Sequence, residues 1–397
     1  MHSTLPHTRQ WYHLLALTVA HTVADIYVGL IAPVLVPMHD RYGISLAGLI
    51  FIASLLGFSS NIFQIPIGHM RATWTRPWMI CGGVLLAGTS VFIPCLPSGA
   101  CCMAGMAAIA LLSGLGVATV HPEGLRAVHG LDKIPSALAT AVFMVGGFVG
   151  FAGGALLSAG ITDHFGLGAL AWLYLLAPLA SVPLLWSGVR LPVETAESRE
   201  REAVRAERGP AVPFVPLFVI ASVLATSSQV QAILLPSYLH DEAGYTLSFS
   251  GLSFTLFGVG GATGAILWGA LAPRLGHLRV LLFATLAGTP LTLLYLWLAP
   301  QTKYAAALLA FTGFIVYTGF PLCVALARDA ESSLRVSQRM GWISGGTWGI
   351  AAMALWAIGP VADAVGFGLP LHLIWVGYLV AAAMIFVQMR KLRQSGN

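Results

Sequence analysis

The run Met103-Ala-Gly-Met-Ala-Ala-Ile-Ala-Leu-Leu-Ser-Gly-Leu-Gly-Val-Ala-Thr-Val120 carries no charged residue and leads directly into His121-Pro122-Glu123-Gly124-Leu125-Arg126. An apolar stretch of that length is enough to cross a bilayer as a helix. Ionisable groups at the end of such a stretch are costly there, so they face a cavity or one another. A second acid, Asp25, lies inside another apolar run, one helical turn after His21. These two clusters are where chemistry is expected, and the rest of the chain reads as the membrane enclosure around them.

Composition supports that reading. Of 397 residues, 57% are hydrophobic and only 9% charged, against about 25% charged in a soluble domain. The 44 glycines suit close helix packing in lipid. Met1 to Gln10 is short and polar and leads into a full-length span, which is not the layout of a cleaved leader. The net charge of +5 shows no nucleic-acid stripe and is a topology signal. The five cysteines have no metal spacing. Cys81 and Cys323 read as packing residues, and Cys95, Cys101 and Cys102 as reduced thiols at a membrane edge, with a disulfide across that loop as the alternative.

Hydropathy places twelve spans at 12–37, 47–70, 78–96, 102–126, 135–160, 169–189, 214–238, 248–272, 279–299, 304–327, 338–360 and 370–390. With an even number, both ends share a side. All of the 20 Lys and Arg except Arg41 and Lys303 then fall on that side, so both termini are expected in the cytosol. The halves also repeat. Gly43, Gly57 and Gly68 map onto Gly244, Gly258 and Gly269, and Gly146-Gly147, Gly150 and Gly160 onto Gly345-Gly346, Gly349 and Gly359. Asp163, Gly166 and Gly168 map onto Asp363, Gly366 and Gly368. The expected fold is therefore an all-α integral membrane protein of twelve transmembrane helices in two six-helix pseudo-repeats. Residues 1–190 form one bundle and 214–397 the other, with 191–213 a solvated linker of interleaved Glu and Arg. Two parallel six-span halves are a transporter plan.

His21 and Asp25, four apart, share a helix face. Asp25 stands thirteen residues into a span starting near Tyr12, roughly 20 Å deep at 1.5 Å per residue. Desolvation favours a neutral carboxyl and a nearby cation favours a carboxylate, a balance that suits proton exchange. The bland alternative is a satisfied structural hydrogen bond. Glu123 and Arg126, three apart, can pair, and His121 can join them, as a second protonation site, a gate latch or a plain helix-end ion pair. Pro122 removes a backbone donor and can kink the span. Gly146-Gly147, Gly150 and Gly153-Gly154 read as packing faces that let the halves rock, with no binding role of their own. Tyr27, Asn61, Gln64, Gln229, Gln231, Tyr317, Trp342 and Trp348 are the polar span residues that could line a substrate cavity, with core packing or interface anchoring the alternative for the aromatics. No phosphate loop, metal-ligand set or nucleophile–base pair is evident, so neither an enzyme nor a cofactor is expected.

His21-Thr-Val-Ala-Asp25, Ser59-Ser60-Asn-Ile-Phe-Gln64 with Gly68, Gly114-Leu-Gly116 running to His121-Pro122-Glu123-Gly124-Leu-Arg126, and Val145-Gly146-Gly147 resemble the fosmidomycin-resistance branch of the major facilitator superfamily. The resemblance spans the first half and is weaker in the second, mainly at Gly269 and from Met340 to Gly366. It implies a monomeric, proton-driven antiporter of the bacterial inner membrane that expels an antibiotic or other small compound. It places proton coupling on Asp25 and Glu123, with His21, His121 and Arg126 as tuners. Met144 and Phe148 stand where the family tends to have Gln and Asn, which makes the cavity more apolar. The superfamily's charged loop after the second span is degenerate. Arg76 fits, but Ala72 replaces the acid and Thr75 the glycine, and after the eighth span Pro273 replaces the acid. The rival readings are a proton symporter importing a metabolite and a non-transporting scaffold or sensor on the same fold.

Overall fold

In a computed structural model, the structure describes residues 7–70, 74–99, 101–134, 136–193, 212–334 and 336–395. Most of the charged stretch read as a linker, and Ala72 of the loop after the second span, lie outside those residues. Among the described residues, twelve helical segments are long and apolar enough to cross a membrane. They are α1 (His7–Tyr42), α2 (Leu46–Gly68), α3 (Trp78–Cys95), α4 (Cys102–His129), α5 (Leu138–Phe165), α6 (Leu167–Trp186), α7 (Phe214–Glu242), α8 (Leu247–Leu275), α9 (His277–Leu298), α10 (Ala305–Arg328), α11 (Gln338–Val365) and α12 (Gly368–Gln394). The molecule is an all-helical membrane protein. Large apolar side chains such as Leu179, Trp172, Trp186 and Trp297 stand exposed on its surface, where lipid rather than water is the solvent that suits them.

The chain divides into two compact units, one of residues 1–194 with 246–252, the other of 195–245 with 253–397. The repeat read from glycine spacing is visible in each unit's backbone. Gly43 ends α1 at φ +62°, and Gly244 follows α7 at φ +72°. Just before each, a histidine ring Nδ1 meets a carbonyl across the turn: His39 to Ile44 O at 2.7 Å and His240 to Tyr245 O at 2.9 Å. Gly166 after α5 and Gly366 after α11 adopt φ +79° and +86°, and their N–H groups donate to Thr162 and Ala362 carbonyls, both at 2.9 Å. Only glycine takes that left-handed conformation without steric cost.

Local sequence shapes the spans. α1 is helical over His7–Gly29, tightens to a short 3-10 turn at Ala32–Val34, and resumes at Leu35–Tyr42. Pro33, which has no N–H to donate, sits in the break. By contrast α4 runs as one helix from Cys102 to His129 through Pro122. Within the first unit α1 lies against α5 along a ladder of small residues. A Cβ on Gly146 would fall 2.5 Å from Thr18 Cγ2, one on Gly150 would collide with the Thr22 carbonyl, and one on Gly154 with that of Ile26. With no hydrophobic force between helices in lipid, such close backbone approach is what holds them. It also presses the polar face of α1 against α5 and α4.

The cysteines are free thiols: Cys81, Cys102 and Cys323 are buried, Cys95 is half-buried and Cys101 exposed. Cys95 Sγ points to carbonyls of Val91, Leu167 and Gly168 at 3.3–3.7 Å and away from any disulfide partner.

Candidate functional site

The first unit assembles three ionisable side chains in its interior. His21 Nε2 lies 3.3 Å from Asp25 Oδ2, the one-turn spacing expected on a helix face. The third member comes from α4: His121 Nε2 lies 3.5 Å from Asp25 Oδ1. The two imidazoles meet edge to face with centroids 4.7 Å apart. Asp25 thus sits between two histidines, one on each carboxylate oxygen.

Backbone carbonyls fix both rings. His21 Nδ1 meets Phe143 O at 2.8 Å, and His121 Nδ1 meets Val117 O at 3.0 Å. A carbonyl oxygen only accepts, so each Nδ1 carries the hydrogen and each Nε2 is turned to the carboxylate. His21 is further clamped by Phe143, whose ring stacks on it at 4.1 Å and 16°. His21 is 1% exposed, whereas the side chains of Asp25 and His121 keep 15% and 21%. The carboxylate is therefore largely enclosed and keeps a small exposed edge, shared with His121.

Gly147 of α5 forms one wall. A Cβ there would fall 2.5 Å from His21 Cε1 and 2.6 Å from Asp25 Oδ2. The packing role expected of these glycines takes a specific form at this position: the missing side chain is the space the cluster occupies. Phe143 escaped the sequence reading, although its four-residue spacing from Gly147 places the two on one face of α5.

Glu123 and Arg126 form a separate constellation. Arg126 Nη2 donates to Glu123 Oε2 at 2.5 Å, and the same guanidinium donates to Trp74 O at 3.3 Å and Pro192 O at 3.0 Å. It ties the end of α4 to the segments that follow α2 and α6. The idea that His121 joins this pair is corrected, since His121 faces Asp25. Two residues on a helix turn through about 200° at 3.6 residues per turn, so His121 and Glu123 leave α4 on opposite sides.

The residues proposed to line a cavity divide. Tyr27 is fully buried and its hydroxyl donates to Leu173 O at 3.0 Å, so packing replaces cavity lining there. Asn61 and Gln64, half-buried on α2, donate to their own helix at Gly57 O (2.7 Å) and Ser60 O (2.8 Å). In the second unit Gln231 is buried with Oε1 lacking a hydrogen-bond partner, and Gln229 is half-buried. Tyr317 and Trp348 line one crevice with Phe320 and Tyr378. Trp342 is 45% exposed and meets Phe218 edge-on at 6.0 Å.

Sequence spacing gives no metal-ligand set, and the fold brings three potential donors together: one ligand atom each of His21, Asp25 and His121 lies within 4.8 Å of the others.

Comparison with known proteins accords with this architecture. The chain is 26% identical over 374 residues to the uncharacterized MFS-type transporter YfnC of Bacillus subtilis (strain 168), spanning 91% of this chain and 89% of that protein. It is 23% identical over 358 residues to the fosmidomycin resistance protein of Escherichia coli (strain K12), spanning 88% and 86%. Among solved structures it is similar to a bacterial homolog of the human lysosomal transporter Spinster in an inward-facing, unoccupied conformation, with a TM-score of 0.73, 17% identity and coverage of 98% and 99%. It is likewise similar to the nucleoside transporter NupG, with a TM-score of 0.70, 14% identity and coverage of 95% and 99%. The family model of the Major Facilitator Superfamily matches residues 17–330 and 217–395. A twelve-span helical chain with an internal repeat, matched along nearly its whole length, is a transporter and not an enzyme, and it belongs to the Major Facilitator Superfamily.

Proposed function

We propose that this transporter is a proton-coupled antiporter that exports a small organic compound from the bacterial cytoplasm, with Asp25 as the exchanging carboxyl. The observation that carries the reading is the placement of that carboxylate between two Nε2 atoms, at 3.3 and 3.5 Å, in an otherwise apolar interior. Both histidines are oriented by carbonyls, so a proton arriving at the cluster is shared among three groups whose geometry is already set. A carboxylate stabilised by charged imidazoles and a neutral carboxyl beside neutral ones differ by a proton, and a change of solvent access can select between them. The distant likeness to a fosmidomycin resistance protein supports export of an antibiotic-like compound. The basic residues support cytosolic termini in the inner membrane. The chain would act as a monomer.

In this reading Glu123 has a fastening role. Its charge is already answered by Arg126, and Arg126 is held by two further carbonyls. The fastening keeps α4 in the register that sets His121 against Asp25.

The test is proton release from purified, detergent-solubilised protein on addition of a panel of drug-like compounds, wild type beside Asp25→Asn. Release by wild type and none by the variant is expected. Equal release from both, or full transport by an Asp25→Asn, Glu123→Gln double variant, removes the proposal.

A further inference from the structure

We infer that His21, Asp25 and His121 form a binding site for one divalent transition metal ion of the zinc class. The inference shares its residues with the coupling site proposed above. It stands on geometry alone.

The donor set is two imidazole nitrogens and one carboxylate, the composition of three-ligand zinc sites that leave a fourth position open. The separations are of the right order. A tetrahedral ion at about 2.0–2.2 Å from nitrogen and oxygen places its ligands roughly 3.4 Å apart, and the Nε2 atoms of His21 and His121 stand 3.3 Å from Asp25 Oδ2 and 3.5 Å from Asp25 Oδ1, one at each oxygen of the carboxylate. One ligand atom from each of the three residues lies within 4.8 Å of the other two, which is the spread a single ion has to draw together.

The orienting shell is also that of a metal site. Metal-bound histidines characteristically donate their other ring N–H to a carbonyl or carboxylate, which fixes the tautomer and aims the lone pair. Phe143 O and Val117 O do this for His21 and His121. His21 Nε2 adds a second sign. It is an enclosed polar atom on a residue 1% exposed, it points into the cluster, and it has no hydrogen-bond partner, its approach to Asp25 Oδ2 at 3.3 Å being a charge contact only. Neutral imidazole suits zinc, nickel, cobalt and copper, whereas magnesium and calcium call for oxygen ligands. On the side where Asp25 and His121 retain exposure, the fourth position admits water or an oxygen of a chelating compound.

The test uses the full chain, purified with a tag free of histidine and stripped with a chelator. Cobalt(II) is titrated in and followed by the visible absorption of the four-coordinate ion. We expect saturation at one ion per chain, displacement by Zn2+ and none by Mg2+. Outer-shell changes cost about 10–100-fold in metal affinity, so loss of a ligand in Asp25→Asn or His121→Gln is expected to cost more than that. His121 is the safer variant because it is partly exposed, and gel filtration with far-UV circular dichroism checks that each variant is folded. No cobalt spectrum from folded wild type, or affinity unchanged in both folded variants, overturns the inference. Proton release that persists without metal binding sinks the metal site alone. Metal binding that persists while Asp25→Asn releases protons like wild type sinks the coupling reading alone.

Discussion

Gly147→Ala is the smallest change that addresses the site without removing any of its chemistry. The added Cβ would stand 2.5 Å from His21 Cε1, 2.6 Å from Asp25 Oδ2 and 2.7 Å from His21 Nε2. Carbon atoms pack at about 3.5–4.0 Å, so the cluster or α5 must move by about 1 Å. His21 is the less able to yield, being stacked on Phe143 and bonded to its carbonyl. Overpacking of this kind costs about 1–3 kcal/mol, which corresponds to roughly 5–150-fold in an equilibrium at 1.4 kcal/mol per tenfold. Displacement of a reacting group by about 1 Å costs up to about 100-fold. The expected result is a loss of compound-induced proton release by about tenfold or more. Gly153→Ala is the control on the same helix. Nothing lies within 4 Å of its Cβ, and alanine gains up to about 1 kcal/mol of helix propensity. Both variants are assayed for proton release and for thermal unfolding in the same detergent. Wild-type release from Gly147→Ala would refute the argument that this glycine makes the room for the cluster.

Gly150→Ala meets the Thr22 carbonyl, a backbone atom that cannot rotate away, so loss of folded protein on gel filtration is expected, and recovery at wild-type yield would count against the α1–α5 ladder. Glu123→Gln leaves the largely buried Arg126 without its counter-charge, at a cost of about 3 kcal/mol; the unfolding temperature is expected to fall clearly while proton release survives in the folded fraction, and an unchanged unfolding temperature would deny the fastening role. Tyr27→Phe removes the donor to Leu173 O and is expected to cost about 1 kcal/mol with export unaffected, so a selective loss of export would return Tyr27 to the substrate path. Inverted vesicles acidified inside are expected to accumulate the exported compound and to lose that ability with an uncoupler, and accumulation insensitive to the uncoupler would exclude proton coupling.

The number and order of the spans were legible in the chain because a bilayer imposes its thickness on every one of them, and local hydropathy reports that constraint directly. The repeat was legible for a similar reason: Gly43 with Gly244, and Gly166 with Gly366, occupy left-handed turns that few other residues tolerate. The pairing of His21 with Asp25 follows from helix periodicity alone. What the sequence could not decide was the partner of His121. Glu123 lies two positions away in the chain and Asp25 ninety-six, yet His121 turns to Asp25. Helix periodicity puts His121 and Glu123 on opposite sides of α4, but which side meets α1 depends on the rotation and crossing of three helices. That crossing is set by the glycine ladder of α5, where absent side chains bring α1 within backbone contact. Local periodicity therefore determined the faces, and only long-range packing decided which faces meet.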